Sequence, residues 1–132
     1  MATHEYQYQY IKHDKLVECL HWLQNQCQLR DWSIDLDTNY EPPKELATNE
    51  HDNYEALALI TTDCLKAVIW IPIKRLKEAN RNPIEALCHE VGHILIDRCG
   101  MKDEDELLVR IISPMIYRLW CKEHRVKIAK VV

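Results

Sequence analysis

Between Asn82 and Gly100 the chain specifies a helix at both of its ends. Asn82 is a good N-cap. Pro83 fits the first helical position, where its missing amide would have no partner anyway, and Glu85 follows the cap by three residues, as in a capping box. Gly100 suits the left-handed position just past the end, and Arg98 sits in the last turn, where a cation meets the negative end of the helix dipole. These signals predict a helix over residues 83–99. Ile84, Leu87, Val91, Ile94 and Leu95 form a single apolar stripe along it, which should pack on the rest of the protein.

Inside this helix stands His89-Glu90-Val91-Gly92-His93, an H-E-x-x-H sequence. Residues four apart lie one above the other on a helix, so His89 and His93 can offer two imidazole nitrogens to one zinc ion. Glu90, one step around, can reach a water on that ion. Both histidines project away from the apolar stripe and share their side with Ala86, Glu90 and Asp97. Core histidines would lie on the stripe. The competing reading is a pair of solvated surface histidines on the polar side of the same helix.

Two histidines do not make a catalytic zinc site, which usually takes three protein ligands and keeps one position for water. Asp103-Glu104-Asp105-Glu106 follow the Gly100 turn and open a further helix that can fold back on the first. Leu107, Leu108, Ile111, Ile112, Met115, Ile116 and Leu119 give that helix a broad apolar face. Glu104 is in phase with Leu107, Leu108 and Ile111, so the phase favours Glu104 as the third ligand, with Glu106 and Asp105 as the alternatives. By the same phase Glu106 projects to the opposite side and forms a capping box with Asp103, and Asp105 is intermediate. Acids in a first helical turn are also favoured by the helix dipole alone. Asp97, one turn beyond His93, can accept an N–H from a ligating histidine or pair with a surface cation. Pro114 should kink or break the last helix.

The remaining chain supplies a small sheet. Residues 14–29 read as a helix capped by Asp14, with Leu16, Leu20, Leu23 and Cys27 on one face and Val17 nearby. Residues 31–38 alternate, placing Trp32, Ile34 and Leu36 together on one face of a strand. Residues 39–53 are polar, contain Pro42 and Pro43, and read as a loop. Residues 54–61 and 65–71 read as two strands joined by a tight turn at Thr62-Asp63, with a short helical turn over 72–79. This order implies an α+β fold: a small antiparallel or mixed sheet with helices packed on one side, in a single domain over residues 1–132.

Composition limits the functional classes. The 132 residues carry a net charge of −4 and no basic cluster, which argues against nucleic acid as the main partner. No run approaches the roughly 18 apolar residues of a membrane span, and residues 1–10 do not read as a signal peptide. The expected location is cytoplasmic. The six cysteines have neither a C-x-x-C pair nor structural-zinc spacing, so reduced thiols are expected, with Cys88 buried at the edge of the stripe.

The stretch Ala86-Leu-Cys-His-Glu-Val-Gly-His-Ile-Leu-Ile-Asp97 resembles the active-site helix of small zincin metallopeptidases. The acidic turn and apolar helix that follow resemble the gluzincin arrangement, in which a glutamate is the third ligand. Among these, residues 84–116 are most similar to compact phage-type and integrative-element metallopeptidases. Metzincins are excluded, because the positions where they need Gly and His hold Ile96 and Cys99. Val109 and Arg110 depart from the helix pattern of anti-repressor proteases, so no named substrate follows. The resemblance implies one zinc ion per chain held by His89, His93 and Glu104. It also implies Glu90 as general base for a zinc-bound water, and a protein or peptide as substrate. An extended peptide would add to an exposed sheet edge, for which residues 65–71 are the expected strand. Two other readings stay open: a zincin-like zinc-binding interaction module with little catalysis, and a metal-assisted hydrolase of another kind. Tyr117 and His51 are candidates to stabilise an oxyanion.

Overall fold

The computed structural model describes residues 11–46, 56–101 and 105–124. The fold is α+β, a three-stranded mixed sheet with four helices. In chain order the elements are α1 (His13–Gln26), β1 (Ser33–Asp37), β2 (Leu57–Thr61), β3 (Lys66–Trp70), α2 (Ile73–Glu78), α3 (Pro83–Arg98) and α4 (Asp105–Glu123). Short 3-10 turns occupy Lys44–Leu46 and Thr62–Cys64.

The sheet runs β1-β3-β2, with β3 parallel to β1 and antiparallel to β2. The expectation that residues 65–71 form a free edge is therefore wrong, because β3 is the central strand. The physical reason is visible in its composition: a near-continuous apolar run suits a strand covered on both faces and both edges. Ala67, Ile69 and Ile71 turn toward the helices. They are flanked by Ile34 and Leu36 of β1 and by Ala58 and Ile60 of β2. On the other face Trp70 is fully buried. Its indole N–H donates to the carbonyl of Asn39 at 2.9 Å, and Arg75 lies over its ring.

Helix α1 buries Leu16, Cys19, Leu20 and Leu23, close to the predicted face. It starts one residue before Asp14, with Lys12 at the cap position and no side-chain capping bond. It stops at Gln26 rather than near residue 29, because Gln28 turns left-handed with φ 56°. Gln24 secures that turn by donating to the carbonyls of Leu29 and Trp32.

Helix α3 is central and touches α1, α2, α4, β2 and β3. Its caps form as the sequence predicts. The amide of Ile84 donates to Asn82 Oδ1 at 2.9 Å. At the other end Gly100 adopts φ 75°. Its amide donates to the Asp97 carbonyl at 2.9 Å and that of Met101 to the Ile96 carbonyl at 3.2 Å, which is the Schellman pattern of a helix stop. Helix α4 packs along α3.

Helix α4 continues through Pro114 rather than breaking there. Proline removes the amide that would serve the Arg110 carbonyl, but Pro114 is exposed, so water can take that carbonyl. Tertiary contacts hold both halves of the helix: Val109 is buried against α3, and Trp120 and Cys121 reach the core shared with α1. Among the described residues no helix is long and apolar enough to cross a membrane.

Candidate metal centre

Four apolar residues of the α3 stripe, Ile84, Leu87, Val91 and Ile94, are buried, and Leu95 is partly buried. This fixes the rotation of the helix and turns the other side toward a cleft. Cys88 is buried at the edge of the stripe, as predicted. The neighbouring Cys19 thiol and burial together push its thiol far above the ordinary value, which leaves it an inert core group.

On the cleft side His89, Glu90 and His93 bring their ligand atoms within 4.8 Å of one another. The two imidazoles meet edge to face, with ring centroids 4.9 Å apart. Burial, with the second imidazole beside it, holds His89 below the ordinary histidine value, so it stands neutral and ready to ligate at neutral pH. Glu90 is only 7% exposed.

Helix α4 brings a second carboxylate beside the group. Glu106 Oε1 lies 3.2 Å from His93 Nε2 and 3.7 Å from His89 Nε2. Its other oxygen accepts from the Arg110 Nε–H at 3.0 Å. Ligand atoms held about 2.0–2.2 Å from one tetrahedral zinc stand roughly 3.3–3.6 Å apart. The two measured separations bracket that span, so the Glu106 carboxylate stands at ligand spacing from each imidazole.

The phase argument points Glu106 away from α3, and here the structure differs. The face of α4 that meets α3 contains Val109 and Ser113 rather than Leu107 and Ile111. Glu106 lies three residues before Val109 and so shares that face. Gly92 explains the choice: a Cβ there would sit 3.2 Å from Val109 Cγ1, so the bare backbone of α3 accepts the valine side chain at close approach. A signal for this is present in the sequence, as a glycine inside a helix that needs no turn there. Glu104 and Asp103 lie outside the described residues, as does His51.

The cleft beside these groups has a volume of about 730 Å³. His89, Glu90 and Glu106 line it, with Ala56 just before β2 and with Arg81, Arg110, Pro114 and Arg118. Tyr117 lines it too, and its hydroxyl accepts from Asn82 Nδ2 at 2.7 Å. The N-cap of α3 thus also ties that helix to α4. Asp97 accepts a hydrogen bond from the Thr62 hydroxyl, joining α3 to the turn between β2 and β3. Comparison with protein-family models, with curated proteins and with solved structures returns no match.

Proposed function

We propose that residues 1–132 form one zinc-dependent metallopeptidase domain. The observation that carries the reading is the position of a single carboxylate oxygen. It comes from α4 and stands 3.2 and 3.7 Å from the Nε2 atoms of the H-E-x-x-H histidines on α3. His89 and His93 are the nitrogen ligands. The third ligand comes from the start of α4, and the contact supports Glu106 in that role over Glu104. Arg110 orients the carboxylate by holding Oε2, which leaves Oε1 directed at the histidines.

Zinc bound there supplies Lewis acidity, which polarises a peptide carbonyl and brings the pKa of water toward neutrality. Glu90 takes the proton of the attacking water at its carboxylate and delivers it to the leaving amine nitrogen. Its near-complete burial shields that carboxylate from bulk water and confines the proton transfer to the cleft. Of the two outer strands, β2 is preceded by Ala56 on the cleft wall. A peptide adding to β2 by main-chain hydrogen bonds would run toward the histidines. Tyr117 carries a hydroxyl on the cleft wall that would steady the carbonyl oxygen.

Elemental analysis of the purified chain and its variants tests the site. About one zinc per chain is expected, lost in His89→Ala and Glu106→Ala and kept in Glu104→Ala. The reverse pattern for the two glutamates would transfer the role to Glu104. A wild-type chain that takes up no zinc when zinc is supplied would end the metallopeptidase reading. Zinc bound without cleavage of any member of a peptide and denatured-protein panel would favour an interaction module.

A further inference from the structure

Helix α4 shows solvent a face that the metal centre does not use. Leu107, Ile111, Met115 and Leu119 are 64%, 56%, 66% and 43% exposed. They recur every fourth residue and form one continuous ridge, about 18 Å long at the rise of an α-helix. Four large apolar side chains in a row on a helix surface mark an interaction site more often than a solvated face. Rows spaced by four are also the rows that seat between the side chains of a second helix.

The neighbouring row on α4 is Glu106, Arg110, Pro114, Arg118 and Lys122. Its first four members line the cleft. Beside the Glu106–Arg110 pair, this row presents Arg118 and Lys122. On the far flank Leu108, Ile112 and Ile116 are half-buried, so the apolar surface continues away from the cleft. The helix is therefore apolar on its outer side and cationic along the cleft rim. We infer that this face is the docking surface for an amphipathic helix of a partner protein, apolar on one side and acidic on the other.

Charge selects that occupant over a second copy. Two antiparallel α4 helices related by a two-fold axis would place each flank against the same flank of the other copy. Arg110 of each copy would then face Arg118 of the other, and these cations repel. An acidic partner meets the same row with attraction, and its acidic side would lie along the rim of the cleft.

The test is binding of a fluorescein-labelled 18-residue helical peptide to the full chain, read by anisotropy. The probe carries leucines at positions spaced by three and four and glutamates on one flank. Binding at micromolar concentration is expected, at least tenfold weaker for the probe with lysines in place of the glutamates. Ile111→Ser and Met115→Ser should each weaken it at least tenfold. Arg118→Glu should narrow or reverse the preference between the two probes. Circular dichroism melts establish that these surface variants remain folded. Failure of the acidic probe to bind, or equal binding of both probes, overturns the inference. So does light scattering that shows a dimer split by Ile111→Ser, which would assign the ridge to a second copy. Capture by anionic phospholipid vesicles, lost in the same variants, would assign it to a membrane surface instead. The readout needs neither metal nor cleavage, so it stands or falls separately from the metallopeptidase reading.

Discussion

Replacing Gly92 by alanine inserts a methyl group between α3 and α4, and its cost follows from the packing. The new carbon would lie 3.2 Å from Val109 Cγ1 and 3.7 Å from Cγ2. Optimal carbon contacts are about 3.5–4.0 Å, so the two helices must separate by a few tenths of an ångström. Valine in a helix is held in one rotamer and cannot swing aside, so α4 itself must move. Overpacking of this kind costs about 1–3 kcal/mol. Alanine recovers about 1 kcal/mol through its helix propensity. The expected net loss is therefore about 1 kcal/mol in urea unfolding. Val109→Ala alone should cost about 2 kcal/mol, from two buried methyl groups and the void they leave. In the double variant the methyl group added at position 92 partly fills that void, so the losses should fall short of their sum by about 1–2 kcal/mol. Zinc affinity supplies an independent readout, because Glu106 lies one turn before Val109 on the helix that moves. It should fall about tenfold in Gly92→Ala, the scale of a disturbed ligand support, and recover in the double variant. Strict additivity in the cycle, or a Gly92→Ala chain that gains the full propensity term with unchanged zinc affinity, would refute the close-packing argument.

Glu90→Gln should retain zinc and lose roughly 10²–10⁴-fold in peptide hydrolysis, the usual contribution of a general base; unchanged turnover in that variant would remove Glu90 from the mechanism. Asn82→Ala should destabilise by about 1–2 kcal/mol in chemical denaturation, since it removes the cap on Ile84 and the donor to Tyr117. Asn82→Asp, which keeps the acceptor and loses the donor, should cost less, and equal losses would show the Tyr117 bond to be without weight. Gly100→Ala meets no atom within 4 Å but must hold φ near +75°. It should cost about 1–2 kcal/mol from backbone strain alone, and a thermal melt matching wild type would exclude that strain.

The contrast between α3 and α4 shows which features can be read from residues alone. Everything that defines α3 is local: an N-cap, a proline, a C-terminal glycine and one unambiguous stripe. Its boundaries, the burial of Cys88 and the outward phase of the histidines can all be read directly. In α4, apolar side chains occupy so many positions that several faces satisfy the pattern. The choice among them is made by the notch at Gly92 and by the entry of Trp120 and Cys121 into the core. These are contacts between distant segments, and no periodicity within α4 encodes them. Periodicity turns Glu106 away from the site for that reason, although its spacing of four from Arg110 is a sign that the two side chains pair. The sheet follows the same rule. All three strands are visible as segments, but their order depends on the pairing of β1 with β3, across an intervening strand.

That strand order has a consequence for how the chain assembles. β2 and β3 are joined by a short turn and can close as a local hairpin within microseconds. β1 is bonded to β3 across a much longer stretch of chain, whose closure entropy must be met before any of its ladder forms. β1 and the helix before it should therefore dock last and open first. Backbone amides of β1 should exchange with solvent hydrogen ahead of those of β3, so α1 and β1 are the elements expected to open while α3 and α4 hold their places.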